Sequence, residues 1–227
     1  MESSINVFAG VNGSGKSSIL GEFIRSQGGD FFNPDSFAKE LMAANPSLSL
    51  KSAQIQAWQT GRDELERSIA SGDKFSFETT LGGETIPRIL FFAAKSGTKV
   101  SVYYIGLNSV ELNIERVAAR VERGGHDIPI DKIRQRWDGS ILNIVNLLPH
   151  LNLLRVYDNS KTVEVGASPE PELLVSITDG HIDGAPLVLF RDDFPEWAQP
   201  IAVAAVETLG QRRSIKQNSP MCIAPVK

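Results

Sequence analysis

An α/β fold, with a mostly parallel sheet and helices on both faces, is predicted by three features of the sequence. Short apolar runs rich in β-branched and aromatic residues alternate with longer stretches whose apolar residues recur at helical spacing, the pattern of βαβ units. The first such run, 5–9, passes directly into Gly10-Val11-Asn12-Gly13-Ser14-Gly15-Lys16-Ser17, a glycine-rich turn that opens a helix. The third feature is size: 227 residues can bury a sizeable core, and no internal repeat or low-complexity block divides them. One domain over 1–227 is the expectation.

In chain order, the strand at 5–9 is followed by a helix over 16–27 that stops at Gly28-Gly29. Phe31-Phe32 reads as a short second strand ended by Asn33-Pro34-Asp35, with a helix over 36–44. Ile55, Trp58, Leu65 and Ile69 mark a helix over 49–70 closed by Gly72. A strand at 75–77, a helix at 86–95 ended by Gly97, and a long strand at 99–107 follow, the last expected to be central and buried on both faces. A charged helix at 110–123, the turn Gly124-Gly125, and a second helix at 130–148 after Pro129 precede the last core strand at 151–157. Beyond it, 163–165, 173–177 and 187–190 read as small antiparallel strands, and a helix spans 195–210. The last fifteen or so residues are expected to fray. Segment 161–211 is thus a small antiparallel and helical C-terminal addition, and 110–140 a helical lid.

Composition excludes several function classes. Acidic residues outnumber basic ones 27 to 23, so no overall positive field exists to hold a polyanion, and nucleic acid is not the expected partner. Cys222 is the single cysteine, which rules out an intramolecular disulfide and argues against a structural zinc site. Residues 1–8 lack the basic start and apolar stretch of a signal peptide, and no run approaches the roughly 18 apolar residues of a membrane span. A cytoplasmic protein without membrane contact is the expectation.

The turn at 10–17 is a full match to the Walker A pattern in its proper context, between strand and helix. Glycines at 10, 13 and 15 let successive N–H groups turn inward, and the following helix points its positive end at an anion. Gly10, Asn12, Gly13, Ser14, Gly15, Lys16, Ser17 and Ser18 are the candidate nucleotide contacts, with Lys16 on the β- and γ-phosphates and the Ser17 hydroxyl on Mg2+. ATP and Mg2+ are the implied cofactors. No guanine-reading Asn-Lys-x-Asp run and no strand ending in the acidic pair of motor ATPases is present, which favours a small-molecule kinase.

Loops at the carboxyl ends of strands beside the P-loop strand face the γ-phosphate. Asp35 lies at such an end and could take the proton of an incoming hydroxyl, or could instead cap the helix at 36–44. Glu78, followed by Thr79-Thr80, could bind an acceptor hydroxyl or a magnesium-bound water, or could be a strand-end cap. Arg116, Arg120 and Arg123, spaced by four and three residues, share one helix face. Mobile arginines of that kind stabilise the charge of a transferring phosphoryl group. Alternatively they form a solvated face paired with Glu111, Glu115 and Glu122. Arg134 and Arg136 approach from the next helix, and Asp158-Asn159-Ser160 falls near the adenine. Trp58 and Trp137 read as core or cleft-wall residues.

Together, Gly-Val-Asn-Gly-Ser-Gly-Lys-Ser-Ser at 10–18, Asn-Pro-Asp at 33–35, Phe-Glu-Thr-Thr-Leu at 77–81, Arg-Val-Ala-Ala-Arg-Val-Glu-Arg-Gly-Gly-His at 116–126 and Tyr-Asp-Asn-Ser at 157–160 resemble the zeta-toxin family of P-loop kinases. The resemblance covers about 4–160. It implies phosphorylation of a sugar hydroxyl of UDP-N-acetylglucosamine or a related UDP-sugar, and an antitoxin protein as partner. It further implies Lys16 and Ser17 on ATP and magnesium, Asp35 as the base, Glu78 and Thr80 at the acceptor, and Arg116, Arg120 and Arg123 on the triphosphate. Within this set Asp35, Lys16, Arg120 and Arg123 are the catalytic candidates, and Arg116 and Asn159 further nucleotide contacts. The chain departs from the family at Gly82, where the toxins carry an arginine that helps hold the substrate. A kinase for another metabolite, a nucleotide-dependent switch and a kinase of nucleic-acid ends are the alternative functions.

Overall fold

The computed structural model describes residues 3–17, 19, 31–161, 170–183 and the backbone of 192–217, with side chains through 208. Its sheet has six strands: β1 (Ser4–Ala9), β2 (Lys74–Thr79), β3 (Lys99–Gly106), β4 (Leu153–Asp158), β5 (Glu172–Thr178) and β6 (His181–Ile182). They lie in the order β2-β1-β3-β4-β5-β6. The first four are parallel, and β5 and β6 continue the sheet antiparallel. The P-loop strand β1 is therefore flanked by β2 and β3, and the loops after all three open at one sheet end.

Besides the helix that starts at the glycine-rich turn, the helices among the described residues are α1 (Pro34–Ala44), α2 (Leu50–Ser71), α3 (Thr85–Lys95), α4 (Val110–Glu122), α5 (Ile130–Leu147) and α6 (Gln199–Gln217). Their ends follow local chemistry. Ser49 accepts from the Ser52 N–H to start α2, and Gly72, with φ of 78°, caps its far end in the left-handed conformation that costs glycine nothing. Ser109 starts α4 in the same way. The main core joins Ile5, Val7, Val100, Val102, Leu154 and Val156 of the strands to Leu65, Leu90, Ile144 and Ile201 of the helices. On the opposite face Phe8 and Ile105 pack with Ile19, Phe31, Tyr103 and Tyr157. Burying side chains on both faces is what makes the long strand β3 read as a continuous apolar run.

Four expectations are corrected. The second strand at 31–32 is a single bridge between Phe32 and Phe77. The Asn33 side chain caps α1, and Pro34, which lacks a donor and has φ preset for a helix, turns the chain away from the sheet. That helix accordingly starts at Pro34, not Ser36. The helix expected to reach 148 ends at Leu147, and a 3-10 turn over Leu148–His150 delays the start of β4 to Leu153. The C-terminal helix begins at Gln199, after a 3-10 turn over Glu196–Ala198, and continues to Gln217. One glycine costs a helix only about 1 kcal/mol, so Gly210 does not stop it. Most of the helix over 16–27 and the strands at 163–165 and 187–190 lie outside the described residues.

Candidate active site

Three glycines shape the loop between β1 and the helix that follows. Gly10 has φ of 152°, and a Cβ there would lie 2.4 Å from the Ile105 carbonyl oxygen and 2.8 Å from Ser14 Oγ. Gly13 and Gly15 have φ of 83° and 85°, and a Cβ on Gly15 would lie 2.6 Å from Asn159 Nδ2. The Ser14 N–H donates to the Val11 carbonyl at 3.2 Å, and the Ile19 N–H to the Gly15 carbonyl at 3.0 Å, so a helix starts at the loop. A helix N-terminus behind backbone that only glycine can adopt is a built anion cradle. Asn159, buried, donates Nδ2 to the Ser14 carbonyl at 2.8 Å. Its amide thus braces the cradle from the loop after β4.

Lys16 is buried at the floor. Its Nζ donates to the Val11 carbonyl at 3.4 Å and lies 3.6 Å from Glu78 Oε1. The other Glu78 oxygen accepts from Asn33 Nδ2 at 2.8 Å. Asn33 thereby links the acidic end of β2 to the start of α1. Its Oδ1 accepts from the Ser36 N–H at 3.0 Å. Because Asn33 does the capping, Asp35 in the first turn is not the N-cap, and its exposed carboxylate faces the cavity. Ser17 is exposed at the loop, and Ser18 lies outside the described residues.

These groups open into one cavity of about 440 Å³. Asn12, Lys16, Asp35, Glu78 and Thr80 line it together with Trp58, Arg62, His126, Lys132 and Arg136. The half-exposed Trp58 ring carries the Arg62 guanidinium 5.4 Å from its centroid. Trp58 is thus a cleft-wall residue, as its helical spacing predicts. Gly61 permits this wall, since a Cβ there would lie 2.6 Å from the Phe32 ring.

The arginines divide. Arg116 donates to the Asn159 carbonyl at 2.8 Å and the Ser160 carbonyl at 3.4 Å, holding α4 against the loop after β4. Arg120 donates to the His126 carbonyl at 2.9 Å, closing the Gly124-Gly125 turn. Arg123 is exposed at the end of α4. Glu111 pairs with Arg134 across to α5, at 3.2 Å. Among the described residues the lining includes none of Arg116, Arg120 and Arg123 but does include Arg136. Arg136 donates to Asn12 Oδ1 at 2.9 Å. Burial lowers its pKa, opposed by the nearby Asp35 carboxylate. Sequence reasoning placed the phosphate arginines on α4 and passed over Arg136 as a site residue. The available signal was its phase: Ile133, Arg136, Ser140 and Ile144 share the inner stripe of α5, where a cation needs a reason.

No family model matches the chain. An uncharacterized protein of Haemophilus influenzae is 33% identical over 137 residues, which are 60% of this chain and 94% of that protein. The AvrRxo1-ORF1:AvrRxo1-ORF2 complex, solved with sulphate ions, is similar over 92% of this chain and 76% of that one, with a TM-score of 0.61 at 15% identity. The same complex solved with ATP gives 0.62 at 14% identity, with the same coverage. A structure of the PezAT chromosomal toxin-antitoxin system of Streptococcus pneumoniae covers 93% of this chain and 85% of that one, with a TM-score of 0.53 at 16% identity. No helix among the described residues is long and apolar enough to cross a membrane. The chain belongs to one family with the Haemophilus influenzae protein, and it shares its fold with the AvrRxo1-ORF1:AvrRxo1-ORF2 and PezAT structures.

Proposed function

We propose that this chain is one kinase domain that transfers the γ-phosphate of ATP to a hydroxyl of a small acceptor, best read as a UDP-sugar such as UDP-N-acetylglucosamine. The observation that carries this reading is that Asn12 and Lys16 of the phosphate cradle line one cavity with Asp35, Glu78 and Thr80. The glycine conformations fit a nucleotide phosphate chain, because all three have a positive φ that turns N–H groups inward, and a Cβ at Gly10 or Gly15 would collide with its neighbours. The exposed Ser17 hydroxyl at the helix start would hold Mg2+, which would supply positive charge to offset that of the phosphates.

Asp35 accepts the proton of the acceptor hydroxyl as that oxygen attacks the γ-phosphorus. The bond to the β-phosphate oxygen breaks, leaving ADP, and the proton stays on the Asp35 carboxyl. Lys16, held beside Glu78 until an anion competes for it, and Arg136, held by Asn12, take up the charge on the transferring oxygens. Glu78 and Thr80 bind the acceptor beside them. Arg120 and Arg123 reach the triphosphate through an inward swing of the end of α4 and the Gly124-Gly125 turn, while α5 stays against the 79–83 loop. Arg116 and Asn159 shape the adenine end. A protein inhibitor as partner is supported by the toxin-antitoxin system to which one structural neighbour belongs.

Asp35→Asn should lower transfer by about 10²- to 10⁴-fold while leaving the ATP dissociation constant unchanged. Mass spectrometry of products from ATP, Mg2+ and a panel of UDP-sugars, nucleosides and small alcohols checks both the reaction and the acceptor. Acceptor-independent ATP loss, unaltered in the variant, refutes the kinase reading. The second reading, a kinase of another metabolite, is favoured by Gly82. A Cβ at this position would already lie 2.7 Å from the Arg136 backbone, so no arginine reaches the acceptor from it. A product elsewhere in the panel with none on UDP-sugars establishes that reading.

A further inference from the structure

The loop after β2, residues 79–83, carries the acceptor-side groups, and three observations fasten it to α5. Asn143 donates its side-chain nitrogen to the Leu81 carbonyl at 2.7 Å and to the Gly83 carbonyl at 2.9 Å. Two carbonyl oxygens facing one terminal atom identify it as the amide nitrogen, with both hydrogens used. Second, the backbones touch. A Cβ on Gly82 would lie 2.7 Å from both Cα and O of Arg136, and one on Gly139 would lie 2.5 Å from the Gly82 carbonyl oxygen. Third, Leu81 has φ of 56° and a side chain 1% exposed. A left-handed leucine persists only where its surroundings over-determine it, and here Asn143 holds the carbonyls on both sides of Gly82.

The joint matters because of what hangs on either side. Toward the loop lies Glu78, 3.6 Å from Lys16. Toward α5 lies Arg136, 2.9 Å from Asn12. Both pairs close on the same phosphate cradle. We propose that Asn143 is a positioning residue that clamps the 81–83 loop onto α5, so that Glu78 and Arg136 approach the cradle as one rigid unit. The kinetic part of this inference rests on the kinase reading; the clamp itself does not.

Two variants test it. Asn143→Asp keeps the size of the side chain but removes both donors and sets a carboxylate against two carbonyl oxygens, whereas Asn143→Ala removes the group altogether. Hydrogen exchange should quicken about tenfold or more at residues 80–84 in both variants, and more in Asn143→Asp. The N–H groups of Leu81 and Gly82, which face Thr79 Oγ1 at 3.1 Å and Thr80 Oγ1 at 3.4 Å, are the reporters. With ATP, Mg2+ and whichever acceptor the wild type phosphorylates, kcat should fall about 10- to 100-fold, with KM for ATP unchanged. A residue that merely fills space would be replaced by aspartate without loss. Wild-type exchange in Asn143→Asp, or faster exchange with unchanged kcat, overturns the proposal. If the wild type phosphorylates nothing, the kinase reading fails and exchange at 80–84 and 134–140 alone decides the clamp. If Asn143→Asp does not fold, Asn143→Ala decides it, because that position is partly solvated and its freed carbonyls can take water.

Discussion

The phosphate cradle and the wall proposed for the acceptor meet where Lys16 faces Glu78, but they are assembled from different distances along the chain. The cradle comes from eight consecutive residues whose conformations are dictated by glycine and by the start of a helix. From farther along the chain the Asn159 amide braces it at the Ser14 carbonyl and Arg136 holds Asn12. The acceptor wall gathers Asp35, Trp58, Arg62, Glu78, His126 and Arg136 from five separate stretches, each placed by helix packing and loop contacts. A local motif specifies backbone, and in the proposed function it binds what all nucleotides share. A wall built by packing can change its specificity without disturbing the cradle.

The sharpest way to break this division is at the cradle. Gly15→Ala forces a residue with a Cβ to a φ of 85° and drives that carbon to 2.6 Å from Asn159 Nδ2, so the brace on Ser14 must move as well. Strain of this kind costs about 1–3 kcal/mol, and the cradle itself is distorted. ATP affinity should fall more than about tenfold while the acceptor wall keeps its shape. Isothermal titration with ATP, alongside thermal melting, checks it.

The same division explains what could be read from sequence. The cradle and Glu78 were legible because a motif, or the end of a strand, fixes their place relative to β1, whereas Asp35 reaches the cavity from the first turn of α1. Four parallel strands and six helices were legible as well, since the apolar period survives packing. The strand at 31–32 failed because Asn33 and Pro34 start a helix so early that only one bridge fits. Asn143 escaped notice, and Arg136 was named as approaching from the next helix without a place in the site, for a subtler reason. Both lie on α5, but what makes them informative is Gly82, more than fifty residues away, whose missing side chain lets the helix touch the acceptor loop. Nothing local to 130–147 states that contact.

A smaller effect sharpens the comparison from the acceptor side. Trp58→Ala removes the exposed ring at the wall together with the platform under Arg62. An aromatic contact of this kind is worth about 0.5–1.5 kcal/mol, so KM for the acceptor should rise about 2- to 10-fold. The ATP dissociation constant should not change, because Trp58 lies on α2 and makes no part of the cradle. Equal losses for both ligands would show that the two sides are not separable.

The smallest expected effect belongs to His126, at the edge where the α4–α5 turn meets the cavity. Burial pushes its pKa below the ordinary value, opposed by the Asp35 carboxylate and reinforced by Arg120, Lys39 and Arg136. Its folded-state pKa is therefore the lower one, and at mildly acidic pH the unfolded chain binds the extra proton first. The stability contributed by neutral His126 is present above the unfolded pKa of about 6.5 and declines as pH falls through that value. The ring is half solvated, so the contribution is small: under about 0.5 kcal/mol, or a degree or two in Tm for a chain of this size. Between pH 7.5 and 5.5 the wild type should lose slightly more Tm than His126→Asn. An anion held in the cavity beside Asp35 opposes the loss by favouring the imidazolium. Adding the acceptor should then flatten the difference between the two proteins if that acceptor is charged, and leave it unchanged if it is neutral.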